Sequence, residues 1–251
     1  MKRDDLVTYL NDYLRVNAVK DDSNNGLQVE GAGEVTRLAF AVDASLAAVE
    51  GAAESGAQML VVHHGLFWSK PLMVTGPHYR RLKRLLEADL SLYGVHLPLD
   101  MHEEVGNNAV LARLLKLEGV TPFGEYQGAP VGMEGRLPAT VSLGDFAAQV
   151  ESVLQEQLIQ IWPFGSPNVK RVGIVSGGAA FLLNQAAAAG VDVYLTGEVS
   201  HSSYQAALEL GLDVVFGGHY ATETVGLKAL AEHLAGKFGL GTVFLDLPPG
   251  A

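Results

Sequence analysis

The chain has 251 residues, 48% of them hydrophobic, no cysteine, and a formal net charge of -11 at pH 7. That length fits one large or two modest domains with enough apolar mass for a packed core. Without cysteine there are no disulfides, iron-sulfur clusters or thiolate zinc sites, and the acidic balance argues against binding phosphate backbones by bulk electrostatics.

MKRDDLVTYLNDYL reads as an amphipathic helix capped by Asp4 or Asp5 rather than as a signal peptide, and every apolar run breaks well short of bilayer length. A cytoplasmic protein with no membrane partner is expected. A polar loop, DDSNNGLQVEG, follows, with Asn25-Gly26 as a turn signal. RLAFAVDAS reads as a strand, SLAAVEGAAESG as a helix closed by Gly56, and AQMLVVHHG as a second strand. HYRRLKRLLEAD reads as a helix with Leu82, Leu85 and Leu86 inward; Arg80, Arg81, Lys83 and Arg84 form its solvated face, the one place where a nucleic-acid clamp is conceivable. LSLYGVHLPLD is a strand running into a loop, and NNAVLARLLKLEG a helix ended by Gly119. Residues 123–145, rich in Gly and Pro, mark the domain junction, giving domains 1–126 and 127–251 with the last helix and strand able to pack across. Apolar strands separated by helices imply α/β architecture with parallel sheets covered on both faces.

The chain also repeats itself. Shifted by 134 positions, RLAFAVDASLAAVEGAAESGAQMLVVHH falls on RVGIVSGGAAFLLNQAAAAGVDVYLTGE without a gap, Gly56 meeting Gly190 and His64 meeting Glu198. At a shift of 123, GVHLPLD falls on GGHYATE, each with a His and a carboxylate four residues later. Two similar α/β domains facing each other across a cleft would bring their strand ends together, where open α/β sheets place ligands.

His63 and His64 end an apolar strand. Neighbouring side chains on a regular strand point to opposite faces, so both rings can reach one cleft only if the strand ends there, a departure that Gly65 permits. His219 and Glu223 share one face of a helix that begins by His219. Pro98 disfavours helix at Leu97, leaving His96 and Asp100 on an extended loop. His63, His64, Asp100, His219 and Glu223 are thus the candidate metal ligands, a mixed nitrogen and oxygen set suited to Fe, Zn, Mn or Ni. Five are too many for one catalytic ion with an open position and suit two divalent ions sharing a carboxylate. His96, His102, Glu198 and His201 divide between supporting and surface roles, with His96 or Glu198 as the candidate general base. His78 and His233 read as core histidines, IVSGGAA as a tight strand-to-helix turn, and Ser176 lacks a triad signature.

NNGLQVEG, FAVDAS, MLVVHHGLFW, GVHLPLDMHEEVGNNAVLA, GIVSGGA, YLTGEVSH and GGHYATE together resemble the dinuclear metal-centre hexameric proteins, the GTP cyclohydrolase 1 type 2 homologues or NIF-three-like family, along nearly the whole chain. The resemblance implies a two-domain α/β protomer, a toroidal homohexamer and two metal ions, His64 and Asp100 holding one, His63 and His219 the other, and Glu223 bridging. Ser23-Asn24-Asn25 departs from the acidic residue that many members carry before the asparagine, and the span between the halves is too short for the inserted middle domain of some members. The expected function is a metal-dependent hydrolase acting on a nucleotide or other phosphate or amide substrate. The alternative is a non-enzymatic metal-binding or metal-delivery ring working through protein partners.

Overall fold

A computed structural model describes residues 1–249; Gly250 and Ala251, at the end of the second expected domain, lie outside the described residues. The chain forms two compact units, Met1–Val105 with Gly226–Ala251, and Gly106–Val225.

Unit 1 contains α1 (Arg3–Tyr13), β1 (Gly26–Val29), β2 (Arg37–Asp43), α2 (Leu46–Glu54), β3 (Met59–His64), α3 (Gly76–Glu87), β4 (Ser91–Gly94) and the single turn α4 (Leu97–Asp100). Unit 2 contains α5 (Asn107–Leu114), β5 (Glu118–Tyr126), β6 (Ala129–Ser142), α6 (Leu143–Leu154), β7 (Gln160–Trp162), β8 (Asn168–Val175), α7 (Leu183–Ala189), β9 (Val193–Thr196), α8 (His201–Leu210) and β10 (Asp213–Phe216). The division falls within α9 (His219–Phe238): its first turns belong to unit 2, and the rest, with β11 (Gly241–Phe244), to unit 1. No described helix is long and apolar enough to cross a membrane.

The sheet of unit 1 runs β1-β4-β3-β2-β11 and that of unit 2 β5-β6-β8-β9-β10-β7. In both, the three central strands are parallel and an antiparallel strand flanks the third, β1 beside β4 and β7 beside β10. Leu38 through Val42 of β2 and Met59 through Val62 of β3 are essentially inaccessible, as expected for parallel strands covered on both faces.

The internal repeat holds at the level of register. Leu38 lies opposite Met59 and Val172 opposite Val193, both at the offset of the motif overlay. Gly56 and Gly190 both take left-handed backbone (φ +73° and +70°) just past their helices, where a side chain would be strained. The repeat also reaches β1 and β7, which the motifs did not show: Leu27 pairs with Tyr93 and Ile161 with Val215. The third strand requires a correction. Ser91 opposes Met59 and Asp213 opposes Val193, one residue off the GVHLPLD overlay. His96 therefore caps α4 while His219 opens α9, and the two are not strictly equivalent.

Other expectations shift for local reasons. Lys2, not Asp4 or Asp5, is the N-cap of α1; the two aspartates occupy the first turn, where the helix dipole favours them. Leu86 points outward, 65% exposed, while Leu85 is buried. α5 stops at Leu114, because Lys116 takes left-handed backbone (φ +57°) and Gly119 lies within β5. GLQV is strand β1 rather than loop. Residues 123–145 form no linker: they run through the β5–β6 hairpin, turned at Gln127 and Gly128 with positive φ, into α6. The compact units accordingly separate at Val105 and within α9 rather than at residue 126.

Asn108 staples unit 2 internally. Fully buried, its Nδ2 donates to the Val131 carbonyl at 2.7 Å and its Oδ1 accepts from the Ser176 N–H at 2.8 Å. Asn108→Ala strands both backbone partners, and urea denaturation is expected to show a loss of about 2–3 kcal/mol.

Candidate metal centre

In unit 1, β3 delivers His63 and His64 at its end. Their rings lie 4.8 Å apart, centroid to centroid, although alternation would send them to opposite faces. What bends the chain away is the loop after His64. Gln28 accepts from Leu66 N–H at 2.8 Å and donates to Asn24 O at 2.7 Å, pressing its amide against Gly65, where any Cβ would collide with it. Gly65 is needed for that close approach and not for left-handed backbone, since its φ is not positive.

Each imidazole is fastened by Nδ1. His63, fully buried, meets the Val95 carbonyl at 2.9 Å; His64 meets Asp43 Oδ1 at 2.9 Å; His96 meets Asp21 Oδ1 at 3.0 Å. A carbonyl or carboxylate can only accept, so Nδ1 carries the proton and Nε2 the lone pair, the tautomer a metal ligand requires. One ring nitrogen from each of His63, His64 and His96 lies within 4.8 Å of the others. Asp100, nearly buried, brings Oδ2 to 3.4 Å from His63 Nε2.

The expected extended loop between His96 and Asp100 is instead α4, Asp100 N–H reaching His96 O at 3.3 Å. Pro98 is tolerated because it sits in the first turn, where its missing N–H would have no helical partner.

The Asp21–Asn25 loop supports this cluster. Asp21 accepts from Ser23 N–H at 3.0 Å, Asn25 Nδ2 at 3.0 Å and Leu97 N–H at 2.9 Å in addition to His96, while Asn25 Oδ1 accepts from His96 N–H at 2.8 Å. Burial alone would raise the Asp21 pKa, but the hydrogen bond and charge of His96, with Asn25 and Ser23, hold it at about 2. Asp21, Asn25, Gln28 and Asp43 were not singled out from sequence. Nothing in periodicity or spacing marks them, because each acts only on a neighbour distant along the chain.

In unit 2, His219 and Glu223 share a face of α9 as expected, His219 Nε2 lying 3.2 Å from Glu223 Oε1. Glu198 lies beyond β9 with Oε2 2.8 Å from His219 Nδ1, the same fastening as in unit 1. Hydrogen bonding to Glu223 is the largest cause raising the His219 pKa to about 9, opposed by burial and reinforced by the charges of Glu223 and Glu198. A place that attracts a proton this strongly also attracts a divalent cation. IVSGGAA is the tight turn expected after β8. Gly177 (φ +66°) packs so closely on Glu223 that a Cβ would meet Oε1, so Gly177→Ala is expected to push the carboxylate aside and weaken metal affinity by about 10-fold, measured by titration, with every donor still present.

The remaining histidines have ordinary neighbours. His102 bonds to Tyr13 O at 3.0 Å and accepts from the Glu104 and Val105 N–H groups. His78 is buried against Phe67, His233 stacks on Tyr13, and His201 is exposed at the start of α8.

His63, His64, His96 and the nearly buried Asp100 in unit 1, and His219 with the nearly buried Glu223 in unit 2, are nitrogen and oxygen donors of the kind that fits divalent transition metals. The chain is 47% identical over 248 residues, 99% of itself and 94% of the relative, to a protein of Deinococcus radiodurans named GTP cyclohydrolase 1 type 2 homolog. A protein of the same name from Pyrococcus horikoshii is 46% identical, with both chains fully covered. The crystal structure of TTHA1606 from Thermus thermophilus superposes with a TM-score of 0.91 at 44% identity over the whole of both chains. A model of the family Duf34/NIF3 (NGG1p interacting factor 3) matches residues 1–249, and the chain belongs to that family.

Proposed function

We propose that this protein is a metal-dependent hydrolase holding two divalent ions, Fe, Zn, Mn or Ni, on His63, His64, Asp100, His219 and Glu223. The observation that carries the reading is the common fastening of the imidazoles: His63, His64 and His219 each have Nδ1 engaged by an acceptor, so the ring orientations are set in advance and Nε2 is the nitrogen that each would offer a cation. Bound ions would supply Lewis acidity for cleaving a phosphate ester, a nucleotide or an amide. The chain's own residues do the rest. Val95 O, Asp43 and Glu198 hold the rings, Asp100 and Glu223 would bring negative charge to the cations, and the exposure of the Glu198 side chain, 61%, supports it as the acceptor of a proton from substrate or water. The family resemblance further supports a toroidal homohexamer, which sedimentation would register at six times the 26.6 kDa protomer.

Protein purified without chelator is expected to contain two ions per chain by elemental analysis and, so loaded, to hydrolyse at least one member of a panel of nucleotides, phosphoesters and amides. Two bound ions with no turnover across the panel would favour a metal-binding or metal-delivery ring instead. Absence of bound metal would overturn both readings.

A further inference from the structure

We infer that Trp68 determines specificity in the proposed reaction: its indole is a stacking wall beside the candidate metal centre, and it selects nucleotides over phosphate esters and amides that carry no planar ring. The inference rests on the metal-dependent reading and deepens it by naming the substrate class.

The indole is turned to the imidazoles rather than to the core. Its ring centroid is 5.0 Å from that of His96, in an edge arrangement at 67°, and 6.4 Å from that of His64. Trp68 is half-buried, and the His96 and His64 side chains are 22% and 21% exposed, so all three rings reach solvent. Phe67, one residue earlier, packs against the hydrophobic core of unit 1. The second tryptophan gives the contrast: Trp162 is 3% exposed, with the rings of Phe164, Tyr204 and Phe216 around it in unit 2. A large apolar ring left partly in water beside polar imidazoles forgoes much of the gain from burial.

The chain nevertheless holds this ring firmly. Trp68 Nε1 donates to Gly65 O at 3.1 Å, which fixes the orientation of the indole. The main chain of Trp68 bridges Ser23, with Asn24 N–H reaching Phe67 O at 3.0 Å and Ser69 N–H reaching Asp22 O at 2.7 Å. The strip it pairs with belongs to the loop in which Asp21 and Asn25 orient His96, so one loop sets both the indole and that imidazole. A ring fixed before binding loses little freedom when a ligand stacks on it. Such stacking is open to any base, since every base has a π-face, and it offers nothing to a sugar phosphate or an aliphatic amide. Phosphate oxygens suit divalent cations and a base suits the indole. Among the proposed substrate classes, the nucleotide alone uses both.

The test uses full-length, metal-loaded protein and the nucleoside monophosphates AMP, GMP, CMP and UMP, with ribose phosphate as the probe that lacks a base. The chain has two tryptophans, so a Trp162→Phe background leaves Trp68 as the single indole. At least one nucleotide is expected to quench its fluorescence, and ribose phosphate is not. By calorimetric titration, Trp68→Leu is expected to lower affinity for that nucleotide at least about 10-fold, with metal content and ribose phosphate affinity unchanged, while Trp68→Phe recovers most of the loss. The quench needs no change at Trp68, so the inference stays testable should Trp68→Leu not fold. Protein with two ions per chain whose indole no nucleotide quenches overturns the inference and leaves the metal reading standing. So does a Trp68→Leu variant that loses nucleotide and ribose phosphate affinity equally, which would make the indole a support for the imidazoles. Quenching by a nucleotide in protein that binds no metal overturns the metal reading alone, and protein with neither metal nor quenching overturns both.

Discussion

Glu223→Gln is expected to leave the protein folded while lowering its metal content from two ions per chain to one and abolishing turnover. The carboxylate is nearly buried, lies 3.2 Å from His219 Nε2, and is confined by Gly177. Glutamine reproduces its shape, so packing is preserved and the melting temperature of the metal-free protein should change little. What glutamine lacks is charge. A neutral amide cannot draw a divalent cation or join two of them as a carboxylate does, and the largest of the attractions that raise the His219 pKa is lost, only that of Glu198 remaining. Elemental analysis beside a thermal melt checks both halves of the expectation. A variant that still holds two ions would remove Glu223 from the site.

Asp21→Ala carries the largest expected cost in stability, about 3 kcal/mol by urea denaturation. It deprives the Ser23 and Leu97 N–H groups, the Asn25 amide and the His96 ring of an acceptor in one step, at a side chain 2% exposed. Because the loop and His96 are held by the same carboxylate, metal affinity should fall about 10–100-fold even though Asp21 touches no ion. Asp21→Asn, which keeps one accepting oxygen, should recover part of the stability. Equal losses in the two variants would show that the carboxylate's acceptor geometry is not what orders the loop.

Reading from sequence went furthest where information is local or periodic. The parallel strands were visible because residues buried on both faces must be apolar throughout, and the repeat because two units built on one register need glycine at matching helix ends. The pairing of His219 with Glu223 followed from helical spacing alone. The shape of the His96–Asp100 turn did not, since the general effect of proline on its predecessor ran against its tolerance in a first helical turn.

The amino-acid order alone therefore determined the α/β class and the duplication, and it singled out the histidines and carboxylates proposed to bind a cation. Only the tertiary structure decided which nitrogen each imidazole offers. That choice depends on acceptors such as Asp21 for His96, Asp43 for His64 and Val95 O for His63, brought in from distant parts of the chain. Hydrogen bonds between residues so far apart in sequence leave no period or spacing behind, and they exist only once the strands that carry them have paired.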